Sequence, residues 1–228
     1  MEYLHNGLTL ELCNGAFPLS TDSIALSGFA RLPKQAAVLD LGAGCGTLGL
    51  LLCAKDSGCA VTGVEIDKNA HRTALKNIES NQLSSRLTSI CADLRTVSSL
   101  FPAGSFHCCI SNPPYFSAEQ ESANSAARHE QLCSLNDLFA AAQWAVRYGG
   151  DFFLVHKPER LAEACACAVN RKLEPKRLCL LRHKPGDPVS LILLQCRKGA
   201  KPGLIIEEEH LQEITGEPSE YYRRLYHI

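Results

Sequence analysis

Two short stretches of the chain carry residue types that could do chemistry at the spacing they show. The first is Asp40-Leu41-Gly42-Ala43-Gly44-Cys45-Gly46, which follows an apolar run and opens a helical pattern. Glycines let a backbone turn sharply and leave bare main chain for a ligand to lie against. Amides at the start of a helix then face whatever binds there. The second stretch is Ser111-Asn112-Pro113-Pro114-Tyr115. Two successive prolines fix the backbone and remove two amide donors, so the carbonyls there act only as acceptors. Asn112 adds a side-chain oxygen acceptor and Tyr115 an aromatic face. Together they describe a pocket for a planar –NH2 group, with acceptors for its two hydrogens and a ring to stack on its plane. Such an amine is a poor nucleophile because its lone pair is delocalised. Hydrogen bonds to Asn112 and to the Pro113 carbonyl would polarise the nitrogen and aim the lone pair.

Two acidic residues fall where they could serve the glycine loop. Glu65 ends the second apolar run and could accept two hydrogen bonds from a ribose diol; Asp93 follows the third and could receive an adenine amino group. The glycine spacing is Gly-x-Gly-x-Gly. The dinucleotide fingerprint Gly-x-Gly-x-x-Gly would need glycine at Thr47, which weakens NAD and FAD, although Glu65 alone would suit an NAD ribose equally well. Plainer readings stand beside these: a tight turn at the glycines, an acidic helix cap at Glu65, and a proline turn after a strand at Asn112.

These residues need elements to hold them, and the chain supplies an alternation. Val38–Leu41 is a short apolar strand, and Leu48–Lys55 a helix. Ala60–Ile66 is a second strand, and Asp67 caps a helix whose apolar positions Ala70, Ala74, Leu75 and Ile78 keep helical spacing. Further strands are expected at Leu87–Cys91, Phe106–Ile110 and Phe152–Val155. Helices are expected at Leu135–Val146, ended by Gly149-Gly150, and at Glu159–Val169. Leu178–Arg182 and Val189–Cys196 read as a hairpin joined by Lys184-Pro185-Gly186-Asp187-Pro188. Strands alternating with helices imply an α/β fold with a mostly parallel sheet covered on both faces. Every candidate residue then falls at the carboxyl ends of the strands, where the crevice of an open sheet lies. The expected organisation is one domain over 34–200, a hairpin-and-helix extension over 1–33, and a tail over 201–228 that packs on the domain.

Composition fits this. The chain has 228 residues, 46% hydrophobic and 21% charged, with a formal net charge of -1, which suits one globular domain with a full core and excludes a disordered chain. No apolar run approaches the ~18 to 20 residues of a membrane span, and the N-terminus lacks a secretory pattern, so a cytoplasmic protein is expected. Twelve cysteines include no Cys-x-x-Cys pair, so no metal site is expected. Cys53, Cys59, Cys91, Cys108, Cys109, Cys179 and Cys196 sit in apolar segments and read as reduced core thiols. Charge is uneven: 11 Lys/Arg face 4 Asp/Glu between Lys157 and Lys201, while 6 acidic and no Lys/Arg residues lie between Glu207 and Glu220. The basic segment is a solvated face or a phosphate track.

Taken in order, Asp40-x-Gly42-x-Gly44-x-Gly46, Glu65, Asp93 and Asn112-Pro113-Pro114-Tyr115 resemble the class I S-adenosylmethionine-dependent methyltransferases, in the Asn-Pro-Pro-Tyr branch that methylates adenine N6 or glutamine N5. Phe17-Pro18-Leu19-Ser20-Thr21-Asp22-Ser23, Ala127-Arg128-His129-Glu130 and Tyr221-Tyr222 are similar to segments of the bacterial tRNA adenine-N6 methyltransferases that act beside the valine anticodon. The resemblance covers roughly Phe17 to Cys196 as fold. It implies a Rossmann-like, seven-stranded sheet of order 3-2-1-4-5-7-6 with strand 7 antiparallel, matching the hairpin read from the residues.

The resemblance also implies site roles. S-adenosylmethionine would be the cofactor and S-adenosylhomocysteine its product. Asp40, Gly42, Gly44 and Gly46 would surround the methionyl part, Glu65 with Ile66 the ribose, and Asp93 with Leu94 the adenine. Thr21, Asp22 and Asn112 would complete the cofactor site, and Phe17 through Asp22 would close over it. Asn112, Pro113 and Tyr115 would orient the target amine, with Phe17, Phe116, Arg128 and His129 as further substrate contacts. The implied partner is RNA, in particular tRNA, with no metal and no membrane. Arg171, Lys172, Lys176, Arg177, Arg182 and Lys184 would then track phosphate. The acidic stretch Glu207–Glu220 departs from the surface an RNA-binding protein would carry. Two alternatives remain: methylation of a glutamine in a protein, for which the usual extra domain before the fold is missing, and a non-catalytic cofactor or nucleic-acid binding module.

Overall fold

Short apolar runs bounded by glycines and polar turns become strands here, and amphipathic runs between them become the helices that cover the sheet. The structure, a computed structural model, describes residues 2–4, 7–13, 19–113 and 133–228. A two-stranded antiparallel ribbon, β1 (Glu2–Tyr3) and β2 (Thr9–Leu10), leads into α1 (Thr21–Phe29). Then come β3 (Ala37–Leu41), α2 (Thr47–Lys55), β4 (Ala60–Glu65), α3 (Lys68–Ser80), β5 (Leu87–Cys91), the short α4 (Val97–Leu100) and β6 (Phe106–Ser111). The second half holds α5 (Leu135–Ala145), β7 (Val146–His156), α6 (Leu161–Asn170), β8 (Leu173–Arg182), β9 (Val189–Lys198), β10 (Ile205–His210) and α7 (Glu220–Tyr226).

The main sheet has eight strands in the order β10-β8-β9-β7-β6-β3-β4-β5. From β5 to β8 this is the order the resemblance implies, with β9 antiparallel to both neighbours. The eighth strand corrects the expectation of seven. Its sequence, Ile-Ile-Glu-Glu-Glu-His, shows no alternation to mark it as a strand, and Ile205 and Ile206 are each 61% exposed. Charge pairing accounts for its place. β10 runs parallel to β8, and Glu207 binds Arg177 at 2.9 Å while Glu208 lies 3.7 Å from Arg182. Glu209 pairs with Arg224 of α7 at 3.2 Å. The acidic tail therefore neutralises the basic strand beside it, and Arg177 and Arg182 are engaged within the sheet instead of lining a phosphate track. Arg171 donates to Asn136 Oδ1 and Lys176 to the Lys201 carbonyl.

Both faces of the sheet are covered, so its central strands bury apolar side chains on both sides. Along β7, Phe153 and Val155 join the core under α1, α2 and α3, while Phe152 and Leu154 join the core under α5 and α6. Edge-to-face rings lock each side: Phe29 on Phe153 at 6.3 Å and Phe139 on Phe152 at 5.1 Å. The helix expected to end at Gly149-Gly150 ends at Ala145, and β7 continues through both glycines. A Cβ at Gly150 would stand 2.5 Å from the His107 carbonyl oxygen, so this glycine answers a close approach of β6, where the strand register shifts. Asp67 caps α3 as expected, accepting from Asn69 N and Ala70 N at 2.8 Å each.

All twelve cysteines are free. Cys53, Cys59, Cys108, Cys109, Cys179 and Cys196 are buried, whereas Cys91, at the last position of the outermost strand, is exposed. Burial pushes the Cys108 and Cys179 thiols up to about 12. Among the described residues no group of His, Cys, Asp and Glu could hold a metal ion, and no helix is long and apolar enough to cross a membrane.

Arg177 ties tail to core: it is 9% exposed, lies 4.3 Å over the Phe29 ring and donates to Phe29 O, Gln195 Oε1 and Glu207. Arg177→Ala is expected to cost about 2–4 kcal/mol of unfolding free energy, from lost packing and a stranded acceptor set. Urea unfolding checks this; a loss below about 0.5 kcal/mol would mean the pair behaves as a solvated surface contact.

Candidate active site

β3 is the middle strand of the site, and the chain leaves its carboxyl end through three glycines in left-handed backbone: φ is 77° at Gly42, 55° at Gly44 and 85° at Gly46. A Cβ at Gly42 or Gly44 would meet nothing within 4 Å. Backbone conformation, not crowding, requires glycine there, and the face above the loop is open. Gly42 N and Ala43 N both donate to Val64 O of β4, at 3.0 and 3.1 Å. Gly63 lets the loop seat on that strand, since a Cβ there would lie 2.7 Å from Ala43 Cβ.

Glu65 joins the loop to the next helix. Its Oε2 accepts from Gly44 N at 2.8 Å and its Oε1 from Asp67 N at 2.7 Å. Each carboxylate oxygen has a second lone pair for a further donor. Ile66 follows, 45% exposed, at the mouth of the crevice.

Asp40 is the outlier. It is 1% exposed, and neither carboxylate oxygen has a hydrogen-bond partner among the described residues. Burial, reinforced by the nearby Glu65 carboxylate, pushes its pKa up to about 8. An orphaned buried acid in a crevice marks a site that a ligand completes. S-adenosylmethionine, which the resemblance implies, carries positive charge on sulfonium and ammonium groups. Asp40 is the counter-charge such a cation needs, and the open face over the glycines leaves main chain accessible. The residues present fit the group.

At the end of β6 the Ser111 hydroxyl donates to Leu41 O at 2.7 Å, tying this strand to the start of the glycine loop. Asn112 comes next, and its Nδ2 donates to Ser23 Oγ in the first turn of α1 at 2.9 Å. Pro113 continues the chain. Thr21 and Asp22 lie in that same turn of α1, with Thr21 Oγ1 3.4 Å from the Tyr226 hydroxyl of α7. Asp93 stands at the same sheet edge, but its carboxylate serves Arg95: it caps a 3-10 turn and pairs with the guanidinium, which holds its pKa below the usual carboxylate range. Leu94 packs against the core under α5. Phe17, Tyr115, Phe116, Arg128 and His129 lie outside the described residues, as does Pro114.

The sequence reading missed Ser23, Asn77 and Asn81. Asn77, 3% exposed, accepts from Glu11 N and donates to Glu11 O and to Cys45 O of the glycine loop. Asn81, one turn on, does the same for Thr9. These two amides hold the N-terminal segment against the loop. Their signal was an i, i+4 pair of asparagines beside the apolar stripe of α3, where exposed polar residues would be unremarked but buried ones must be satisfied.

The methyltransferase small domain family matches residues 23–173. The chain belongs to that family. A relative from Pseudoalteromonas translucida, named tRNA1(Val) (adenine(37)-N6)-methyltransferase, is 30% identical over 182 residues, covering 78% of this chain and 77% of its own length. One of the same name from Aeromonas hydrophila is 32% identical over 190 residues, covering 81% and 78%. Among solved structures, a predicted O-methyltransferase from Agrobacterium tumefaciens superposes with a TM-score of 0.77 at 21% identity, over 91% of this chain and 96% of that one. At that identity the likeness shows the fold. In this methyltransferase small domain, the glycine loop, Asp40, Glu65 and Asn112 all lie within the matched span.

Asp40 makes the fold pH-dependent. Its carboxyl is protonated in the folded chain up to about pH 8 but ionises near 3.8 when unfolded. The unfolded state thus gains from ionisation between about pH 4 and pH 8, and this contribution to stability falls as pH rises through that window. Asp40→Asn is expected to flatten the slope and to exceed the parent at pH 8.5 by on the order of 1–3 kcal/mol without cofactor. Urea midpoints from pH 5 to 8.5 check it; an unchanged slope would mean that Asp40 is ionised and satisfied in the fold.

Proposed function

We propose that this chain is an S-adenosylmethionine-dependent methyltransferase acting on N6 of an unpaired adenine in tRNA, near the anticodon, in the cytoplasm. One observation carries the reading: a buried acid with no hydrogen-bond partner among the described residues and a bare glycine loop lie at the end of β3, with an amide held in place at the end of neighbouring β6. The relatives' shared name supports the choice of adenine and tRNA over a protein glutamine. The cofactor-binding domain is 34–200, with 1–33 a hairpin-and-helix extension and 201–228 a tail that packs on the domain.

S-adenosylmethionine, when bound, supplies a methyl group already activated on a sulfonium. The chain's own task is therefore orientation and polarisation, and it needs no strong general base before attack. Asp40, Gly42, Gly44 and Gly46 hold the methionyl end, closed by Thr21 and Asp22. Glu65 and Ile66 hold the ribose, and Asp93 and Leu94 the adenine. Asn112 Oδ1 and the Pro113 carbonyl accept the two hydrogens of the target amine, drawing its lone pair out of conjugation with the ring. Tyr115 and Phe116 stack on the target base, Phe17 closes the pocket, and Arg128 and His129 bind the flanking RNA. As the bond from nitrogen to the methyl carbon forms, the carbon–sulfur bond would break, S-adenosylhomocysteine would leave as product, and the amine's proton would pass to water. An adenine in a loop is already unpaired, so bringing it into the pocket costs little.

The test is transfer of labelled methyl from S-adenosylmethionine into separate tRNA, ribosomal RNA and protein pools, digested to nucleosides and amino acids. Label is expected in N6-methyladenosine from tRNA; label in N5-methylglutamine instead would overturn the substrate. Asn112→Ala is expected to lower kcat at least ~100-fold, with cofactor Kd within about 2-fold, since 2-fold is only ~0.4 kcal/mol. A collapse of cofactor affinity would show that Asn112 serves the cofactor and not the amine.

A further inference from the structure

We infer that Ser23 is a positioning residue for methyl transfer: its hydroxyl holds the Asn112 amide in the place and plane from which it meets the target amine. The inference rests on the proposed role of Asn112. Ser23 is 6% exposed and lies 89 positions from Asn112 in sequence, yet its Oγ accepts from Asn112 Nδ2 at 2.9 Å. Both ends of this contact are anchored. Ser23 N donates to the capping Ser20 Oγ at 3.4 Å, and α1 is packed through Phe29 on Phe153 of β7. On the other side, the Ser111 hydroxyl fixes the end of β6 to Leu41 O, one residue before Asn112.

The two ends of an asparagine amide are alike in shape and opposite in polarity. Rotation by half a turn about its last bond replaces an acceptor by a donor, and an NH2 group facing an exocyclic amine repels it. In the structure Nδ2 faces Ser23, and because the hydroxyl can donate as well as accept, it holds the place and plane of the amide whichever end faces it. Preorganisation of this kind removes a rearrangement from the reactive step. No sequence motif contains the pair, because fold topology alone brings the first turn of α1 beside the end of β6.

The test compares Ser23→Ala, Ser23→Thr, Asn112→Ala and the double variant Ser23→Ala/Asn112→Ala, on tRNA with S-adenosylmethionine. Ser23→Ala is expected to lower kcat about 10- to 30-fold, with cofactor Kd and melting temperature close to the parent. Ser23→Thr keeps a hydroxyl of the same reach and restores most of the rate. The double variant should be no slower than Asn112→Ala alone, since the serine acts through the asparagine. An unchanged kcat in Ser23→Ala, or a loss that tracks weakened cofactor binding, overturns the inference. If Asn112→Ala is inactive in that case, the methylation reading stands without it. If Asn112→Ala keeps full turnover, the role of Asn112 fails and the inference with it.

Discussion

A carboxyl group buried with no hydrogen-bond partner among the described residues is the constraint around which the site is organised. Ionising Asp40 in the dry interior would cost several kcal/mol, and the fold avoids this by keeping the proton to about pH 8. Such an arrangement persists only where the surroundings over-determine it. Asp40 pairs in register with Gly63 of β4 and Ile110 of β6, so parallel strands grip it from both sides. Its neighbours Leu39 and Leu41 point to the opposite face, into the core under α5 and α6. The side chain is almost wholly buried and has no hydrogen-bond partner among the described residues. A cation entering the crevice changes that balance, because it gives the ionised form the counter-charge it lacks.

The sheet places the strand ends, but elements outside the alternating core hold the loops. Asn77 and Asn81 clip the N-terminal segment to α3 by paired hydrogen bonds of the kind a strand would make. Asn77 reaches the glycine loop as well, so the extension and the loop share one support. At the other side, α7 meets α1 through Tyr226 and Thr21, and Leu225 packs where a Cβ at Gly28 would collide with it. The C-terminal helix thus braces α1, and α1 in turn meets Asn112. Rigidity at the reacting amide is assembled from segments far apart in the chain.

Most of the central architecture was legible because its signals are local. The glycine spacing, the Asp67 cap and the apolar runs of β3 to β6 each follow from a handful of adjacent residues. What escaped depends on long-range context. β10 carries three consecutive glutamates and no alternation, and becomes a strand because basic residues on β8 and α7 stand opposite. Gly149 and Gly150 read as a helix stop, yet β7 runs through both, and Gly150 lets it pass close to β6. The pairing of the Asp93 carboxylate with Arg95, two residues on, was not read either. Ser23 had no signal, being one serine among several at a helix start.

The acidic strand also alters where affinity for a polyanion could come from. Arg177, Arg182, Arg197 and Arg224 each face a carboxylate. A cation already neutralised by its own chain releases few counterions when phosphate approaches. With a formal net charge of -1, general attraction to a nucleic acid backbone is weak. Under the proposed function, discrimination falls on the pocket, through stacking and hydrogen bonds to one extruded base. Weak backbone grip gives little surplus affinity to offset a misplaced amine, so the acceptor that meets it has to be fixed in advance. That requirement is what joins an asparagine at the end of β6 to a buried serine on α1.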